Sequence, residues 1–385
     1  MAMWLLVAAA VCLLLVAAVY FFRIRTVASY RRRADRERPD KADSEFEPAS
    51  VIVYSQGDAD NLTELLGSLL NQDYPAAYEV IVVNEGESAD VRDAISMLRP
   101  RYPNLYLTFT PEGVYNLSRK KLAITLGIKA ARYDVVVLTT SAAIIGSRLW
   151  LRRMMAPFGD NSPIEVVLGY AYAAPDEDTA RGKRRRSFDA IAESARWLGV
   201  AIAGKPFRGT EYNLAYRKKA FLDNKGFARS LNLHYGDDDI FISQIAHGDN
   251  TAVELSEDSL VRVREGNNPR LFNERSLRRS FTERRIRRRP RILFGLTGWL
   301  QLAVLALCIG AGIVAWPNVE GAVIGLVIVV LMFVLQITTW RSMLKALKGR
   351  KLAATLPWLT LTHPLRRLEC QLASRLGKHK KYTWE

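Results

Sequence analysis

Three consecutive carboxylates, Asp237, Asp238 and Asp239, stand in the segment Tyr235-Gly-Asp-Asp-Asp-Ile-Phe-Ile-Ser-Gln-Ile245. Gly236 permits a tight turn before them, and Ile240, Phe241 and Ile245 follow at helical spacing. The acids therefore sit where a loop enters a helix, and the positive end of the helix dipole stabilises charge there. Adjacent like charges also raise the pKa of at least one member, toward the range in which a carboxylate acts as a base near neutral pH. In isolation such a string reads as a solvated, acid-rich helix start. Its surroundings make it a candidate site.

Those surroundings alternate strand and helix signals. Ser50–Tyr54 reads as a buried strand, and Leu62, Leu65, Leu66, Leu69 and Leu70 then mark one helix face. Strands are expected at Tyr78–Val83, Leu105–Phe109 and Asp134–Leu138, with helices over 89–99 and 117–131 between them. Such alternation means βαβ units and a mostly parallel sheet, whose ligands bind beyond the carboxyl ends of the strands. Candidate binding loops are therefore 54–58, 84–88 and 139–143. The second half is less regular. Strands are expected at Val166–Tyr172, within 207–216, at Ala252–Leu255 and at Leu260–Val263, with helices over 185–199 and, basic and amphipathic, roughly 270–288.

The chain has 385 residues, enough for one large domain of roughly 250 residues plus accessory segments. Met3–Phe22, Ile292–Val314 and Ala322–Thr339 are each long and apolar enough to cross a hydrocarbon core about 30 Å thick. The first lacks the basic start and cleavage site of a signal peptide and reads as a retained anchor. Arginines at 23, 25 and 31–33 follow it. Arg278, Arg279, Arg284, Arg285, Arg287, Arg288, Arg289 and Arg291 precede the second span, and Arg341, Lys345, Lys348, Arg350 and Lys351 follow the third. The connection 316–320 has no Lys or Arg. The positive-inside rule then puts the N-terminus outside, with 23–291 and the tail in the cytoplasm. Nucleic acid is the rival explanation of a net charge of +16. The arginines lie beside spans, however, where anionic headgroups attract each by roughly 1 kcal/mol. Membrane lipids are the expected partner and nucleic acid is not. Cys12, Cys308 and Cys370 form neither a disulfide framework nor a zinc spacing. His234 and His247 are lone histidines, and Lys183–Arg186 reads as a solvated basic surface.

Six pieces in order follow the pattern of one known family. Ala49-Ser-Val-Ile-Val-Tyr54 looks like its opening strand, and Leu69-Leu-Asn-Gln-Asp-Tyr-Pro75 its Q-x-Y-P turn. Glu79-Val-Ile-Val-Val-Asn-Glu-Gly86 resembles E-I-I-V-V-D-D-G, and Ser118–Ala131 the K-x-x-A-L-N-x-G helix. Gly209-Thr-Glu-Tyr-Asn-Leu-Ala-Tyr-Arg217 is similar to the acceptor-side G-x-x-x-N-L-A-Y-R, and Gly236–Asp239 falls at the E-D motif. Together they resemble a family 2 glycosyltransferase of GT-A fold over about residues 48–290. With the apolar and basic segments, this gives an expected anchor (1–22), a basic, charged linker (23–47), a GT-A domain (48–270), a basic amphipathic juxtamembrane helix (271–291), two transmembrane helices (292–340) and a basic tail with interfacial helices (341–385).

The activity that the resemblance implies is inverting transfer of a sugar from a nucleotide-diphosphate donor to a lipid-linked or polysaccharide acceptor. The acceptor hydroxyl must lose a proton, and Asp238 is the expected base. Asp237 would orient the acceptor or raise the pKa of Asp238, and Asp239 replaces Asp238 if the register shifts by one. Tyr54, Gln56, Asn84, Glu85, Lys120, Thr140 and Ser141 are the nucleotide-sugar candidates, and Glu211 and Asn213 the acceptor-side ones. Asn84 is equally a turn-forming residue, Lys120 an exposed helix lysine, and Glu211 and Asn213 loop caps. Two spans after the domain are too few to line an export channel, which favours a non-processive enzyme.

One departure matters. Where the family places D-x-D to hold Mg²⁺ or Mn²⁺, this chain has Thr140-Ser141-Ala142, so the usual ligands are missing. Asn84-Glu85 and Thr125 also depart from the pattern. Three readings stay open: Arg or Lys neutralises the diphosphate, with Arg284, Arg285, Arg287 and Arg288 near a Q-x-x-R-W position or facing headgroups; Asp237–Asp239 recruit a metal; or the domain is a non-catalytic membrane scaffold.

Overall fold

The computed structural model describes residues 1–37, 41–111, 117–174, 180–264, 269–286, 288–317, 319–352 and 354–376. Pro269, Leu271 and residues 288–295 are described by their backbone only. The strands are β1 (Ala49–Ser55), β2 (Tyr78–Asn84), β3 (Leu105–Phe109), β4 (Val135–Thr140), β5 (Ala143–Ile145), β6 (Val166–Leu168), β7 (Ala171–Ala173), β8 (Leu214–Arg217), β9 (Thr251–Val253) and β10 (Val261–Val263). The helices are α1 (Ala2–Val19), α2 (Arg25–Arg36), α3 (Ala59–Leu69), α4 (Ala89–Leu98), α5 (Arg119–Ala130), α6 (Trp150–Met155), α7 (Lys183–Ile202), α8 (Lys218–Asp223), α9 (Ile240–Ile245), α10 (Pro269–Thr282), α11 (Arg288–Ala315), α12 (Val319–Ala346) and α13 (Leu356–Leu376).

A seven-stranded sheet runs β3-β2-β1-β4-β8-β6-β9. Its first four strands are parallel, and β8 pairs antiparallel with both β4 and β6. Alternate residues of β1 enter opposite cores: Ile52 and Tyr54 on one face, Val51 and Val53 on the other. Burial of both faces explains why these strands read as continuous apolar runs. Register sets Tyr54 opposite Thr140 and Ser55 opposite Asn84, so the three expected binding loops leave the sheet side by side. A three-stranded sheet, β5-β10-β7, closes one flank.

Three helices are long and apolar enough to span a membrane: Ala2–Arg36, Leu296–Ala315 and Val319–Ala346. α1 packs on α11 and α12. The charged linker expected over 23–47 begins differently: a short π-helical turn, Tyr20–Ile24, carries the first span straight into α2. α2 is docked rather than solvated. Tyr30 Oη donates to the Val253 carbonyl (2.7 Å), and buried Arg31 donates to the Leu255 carbonyl (3.3 Å) and pairs with Glu257. The expected strand over 166–172 is broken into β6 and β7, which serve different sheets. Of the basic run Lys183–Arg186, Arg186 is buried and donates to the carbonyls of Ala180 and Arg181. The tail forms one helix, α13, packed on α10, α11 and α12; residues 377–385 lie outside the described residues.

Candidate active site

The acid triplet lies in the loop that enters α9. Gly236 adopts φ +109°, a conformation that L side chains resist, and an added Cβ there would come within 2.6 Å of Ile240 Cδ1. Lys121, fully buried on α5, holds the preceding segment by donating to the carbonyls of Leu233 (3.2 Å) and Tyr235 (2.8 Å). Burial lowers the Lys121 pKa to about 8, against the opposing charge of Asp237. Nothing in the sequence separates this lysine from its neighbour Lys120.

The three acids have different surroundings. Asp239 caps α9, accepting from the Ile240 amide at 2.6 Å, from the Thr282 hydroxyl, and from Arg208 Nη2 at 3.4 Å. Asp237 accepts from Lys120 Nζ at 2.7 Å. Burial alone would raise the Asp237 pKa, but the ammonium groups of Lys120 and Lys121 more than offset it and the value falls below the ordinary carboxylate range. Asp238 has no ion-pair or hydrogen-bond partner for its carboxylate among the described residues. Burial first, then the charges of Asp239 and Asp237, raise its pKa to about 7. One acid is thus a cap, one is neutralised, and the middle one is left with an elevated proton affinity.

All three line a cleft of about 630 Å³ that also reaches Tyr54, Gln56, Glu85, Thr140 and Ser141. The loops after β1, β2 and β4 therefore share one cavity with the acid triplet. The Tyr54 hydroxyl donates to Glu85, and Gln56 Nε2 donates to the same carboxylate at 3.2 Å. Lys120 also pairs with Glu211, and both line the cleft. Thr140 Oγ1 is buried and has no hydrogen-bond partner among the described residues; it lies beside a small void bounded in part by Lys120, Glu211, Asp237 and Asp238.

Two candidates are placed elsewhere. Asn84 is 2% exposed, accepts from the Gly57 amide (3.0 Å) and donates to the Gly86 carbonyl (2.8 Å), so its amide ties two loops together. Asn213 is fully buried. It accepts from Trp150 Nε1 (3.1 Å) and donates to the carbonyls of Tyr170 (3.1 Å) and Ser259 (2.8 Å), which spends the amide on holding β8 to the second sheet. Neither side chain faces the cleft.

The basic helix enters the cleft by a different set of arginines from the one expected. Arg275, Arg278, Arg279 and Thr282 of α10, at i, i+3, i+4 and i+7, form its wall. Arg278 lies over the Tyr235 ring at 4.1 Å and Arg275 over Tyr212 at 5.9 Å, which seats the helix on the rim. Arg284 instead donates to Ser374 Oγ (2.8 Å) on α13, and Arg285 stacks on Phe281 (4.3 Å). Arg287 lies outside the described residues, as does the side chain of Arg288. Glu193, which also lines the cleft, pairs with Arg196 (3.4 Å) and Arg208, and Glu283 behind it with Arg196 and Arg367 (2.7 Å). Burial would raise the Glu193 pKa, but Arg196 and Arg208 hold it well below the usual range.

The site's geometry is accompanied by clear relationships to known proteins. A solved mannosyltransferase from Pyrobaculum calidifontis, in complex with GDP-Man and Mn²⁺, superposes at TM-score 0.56 with 18% identity, covering 95% of this chain and 99% of its own. TarS of S. aureus (TM-score 0.41, 18% identity, 86% and 92% coverage) and glucosyl-3-phosphoglycerate synthase of Mycobacterium tuberculosis (0.40, 15%, 60% and 78%) also match, too loosely to add to the fold assignment. No curated protein sequence matches the chain. The sequence profile of one family spans residues 9–374, through the first span, the sheet, the cleft and α13. It replaces the expected family 2 with a related one: this GT-A glycosyltransferase belongs to glycosyl transferase family 21.

Proposed function

We propose that the chain transfers a sugar from a nucleotide-diphosphate donor to an amphiphilic, lipid-linked or saccharide acceptor, with inversion, at the cytoplasmic face of the cell membrane. One observation carries the reading: the unpartnered carboxylate of Asp238 opens into the cleft that the loops after β1, β2 and β4 also line. The donor's nucleotide lies along Gln56, Glu85, Thr140 and Ser141, at the carboxyl ends of parallel strands. Asp238 takes the proton of the acceptor hydroxyl; the acceptor oxygen bonds to the anomeric carbon as its bond to the phosphate oxygen breaks, and the nucleoside diphosphate leaves. A pKa of about 7 suits that role, since the carboxylate is substantially ionised yet basic enough to accept a proton. Asp237 and Asp239, each held by cations, position Asp238 and sustain its proton affinity. Glu211, beside Lys120 in the cleft, faces the acceptor.

Sidedness follows from the arginine and lysine clusters flanking the three apolar helices. The test supplies radiolabelled UDP- and GDP-sugars to the full chain in vesicles made from its native lipids. Label should move into the lipid or polysaccharide fraction with wild-type protein and not with Asp238→Asn. Nucleotide binding without transfer to any fraction would leave the scaffold reading standing.

A further inference from the structure

The fold's relatives raise the question of a divalent cation, and the residues at this site do not fit one. Of the loop Thr140-Ser141-Ala142, the only side-chain oxygens on offer are hydroxyls, and no group of three or more His, Cys, Asp or Glu side chains able to hold a metal occurs among the described residues. The carboxylates that do line the cleft are already matched with cations: Glu85 with Arg119 at 3.9 Å, Glu274 with Arg278 at 2.6 Å, Asp237 and Glu211 with Lys120, Glu193 and Asp239 with Arg208. Among the described residues that line the cleft, Asp238 alone lacks a cation, and a metal seated on it would favour its ionised form and lower the proton affinity that a base needs. Mg²⁺ and Mn²⁺ favour anionic oxygen, and Thr140 Oγ1, buried and without a partner among the described residues, is a neutral one.

Positive charge reaches the cleft by another route. Arg279 of α10 is exposed into it and makes no ion pair within 4.0 Å among the described residues. It lies one turn from Arg275 and next to Arg278 on the cleft wall. Guanidinium groups present several N–H donors in a fixed plane, matched to phosphate oxygens, and their charge persists at any working pH.

Resting on the donor class proposed above, we infer that this enzyme holds its donor's diphosphate with the α10 arginines, Arg279 foremost, and without a divalent cation. The T-S-A loop then offers the donor neutral hydroxyls, and the juxtamembrane helix supplies the positive charge that a metal would otherwise bring. Coupling donor binding to that helix also places the phosphate clamp next to the bilayer.

Isothermal titration of the full chain in detergent micelles with UDP and with GDP, in EDTA and in Mn²⁺, tests this. For whichever nucleotide binds, the two affinities should agree within about twofold, and Arg279→Ala should weaken binding about tenfold or more in EDTA. Arg279→Lys, which keeps the charge and loses the fork, should fall between. Circular dichroism of each variant should match wild type, since Arg279 is exposed. Binding that drops about tenfold in EDTA and returns with Mn²⁺ overturns the inference while leaving the glycosyltransferase reading intact. So does EDTA-resistant binding that ignores both substitutions. No binding of either nucleotide in any condition removes the donor reading beneath it as well.

Discussion

Lys120 Nζ lies 2.7 Å from Asp237 Oδ2 and also pairs with Glu211, so one ammonium group ties the first acid of the triplet to the loop before β8. Asp237 is 7% exposed, and removing its cation would strand a buried charge. Lys120→Met should therefore destabilise the protein by about 3–5 kcal/mol. Adding Asp237→Asn to Lys120→Met should recover much of that loss. Thermal unfolding of the two single variants and the double variant gives the coupling; strict additivity would mean that the pair is not energetically linked.

The acid range should silence transfer through Asp238. With its pKa near 7, kcat/KM should fall about tenfold per pH unit below that value and level off above it. Asp238→Asn should abolish the transfer and with it this limb, leaving nucleotide affinity close to wild type. A pH profile that stays flat between about 5 and 8, where a drop of roughly two decades is expected, would remove Asp238 from the base role.

The same carboxyl should make stability depend on pH in the unusual direction for an aspartate. Its folded pKa, about 7, lies above the ordinary value of 3.8, so the folded state binds more protons between those limits. The resulting stabilisation is complete below the unfolded value and is lost as pH rises toward 7. Each pH unit crossed between the two values removes about 1.4 kcal/mol at most, a few kcal/mol in all. Asp238→Asn should accordingly raise the melting temperature at pH 8 and have little effect at acid pH. Such a variant would be inactive but more stable, the usual opposition between function and stability. A variant less stable than wild type at pH 8 would show that the buried charge is not strained.

Much of this arrangement is legible in the residue order because strong signals and buried positions coincide. β1 to β4 are apolar runs, β1 and β4 covered on both faces, and the turn at Gly236 and the cap at Asp239 follow from local chemistry. The short elements β5, α6 and α8, of three to six residues, offer too few positions for a period to register. Asn84 and Asn213 stand at family positions, but whether an amide reads a ligand or ties two loops depends on partners up to 63 residues away. The arginines are the hardest case. Composition alone makes Arg278 to Arg291 one basic run, and the fold separates Arg275, Arg278 and Arg279, which face the cleft from α10, from Arg284, which lies past the end of that helix and bonds to α13.

Thr282 and Asp239 join the juxtamembrane helix to the N-terminus of α9, where the acid triplet ends, and Arg208 bonds the same carboxylate at 3.4 Å. Thr282→Val keeps the shape and removes the hydroxyl, leaving Asp239 one donor short at a cost of about 1–3 kcal/mol. Because α10 carries the cleft arginines, that loosening should also weaken nucleotide binding in the variant that remains folded. Unchanged affinity alongside lowered stability would show that the bond holds the fold without positioning the arginines.

Glu211 and Asn213 separate an acceptor role from a scaffolding one within three residues. Glu211 lines the cleft, so Glu211→Gln should leave melting temperature nearly unchanged and raise the acceptor KM, with a loss that does not extend to the donor. Asn213 has its amide saturated by Trp150, Tyr170 and Ser259, and Gly169 lies so close that a Cβ there would meet the amide at 2.4 Å. Asn213→Ala strips the buried Trp150 N–H and the Ser259 carbonyl of the amide, while the Tyr170 carbonyl keeps the Val261 amide, and should cost about 2–5 kcal/mol. Gly169→Ala should destabilise the same corner by collision rather than loss. Both substitutions should lower the melting temperature while protein that stays folded keeps its acceptor KM. A raised acceptor KM in folded Asn213→Ala, with stability intact, would return Asn213 to the acceptor side and undo the assignment made from its three hydrogen bonds.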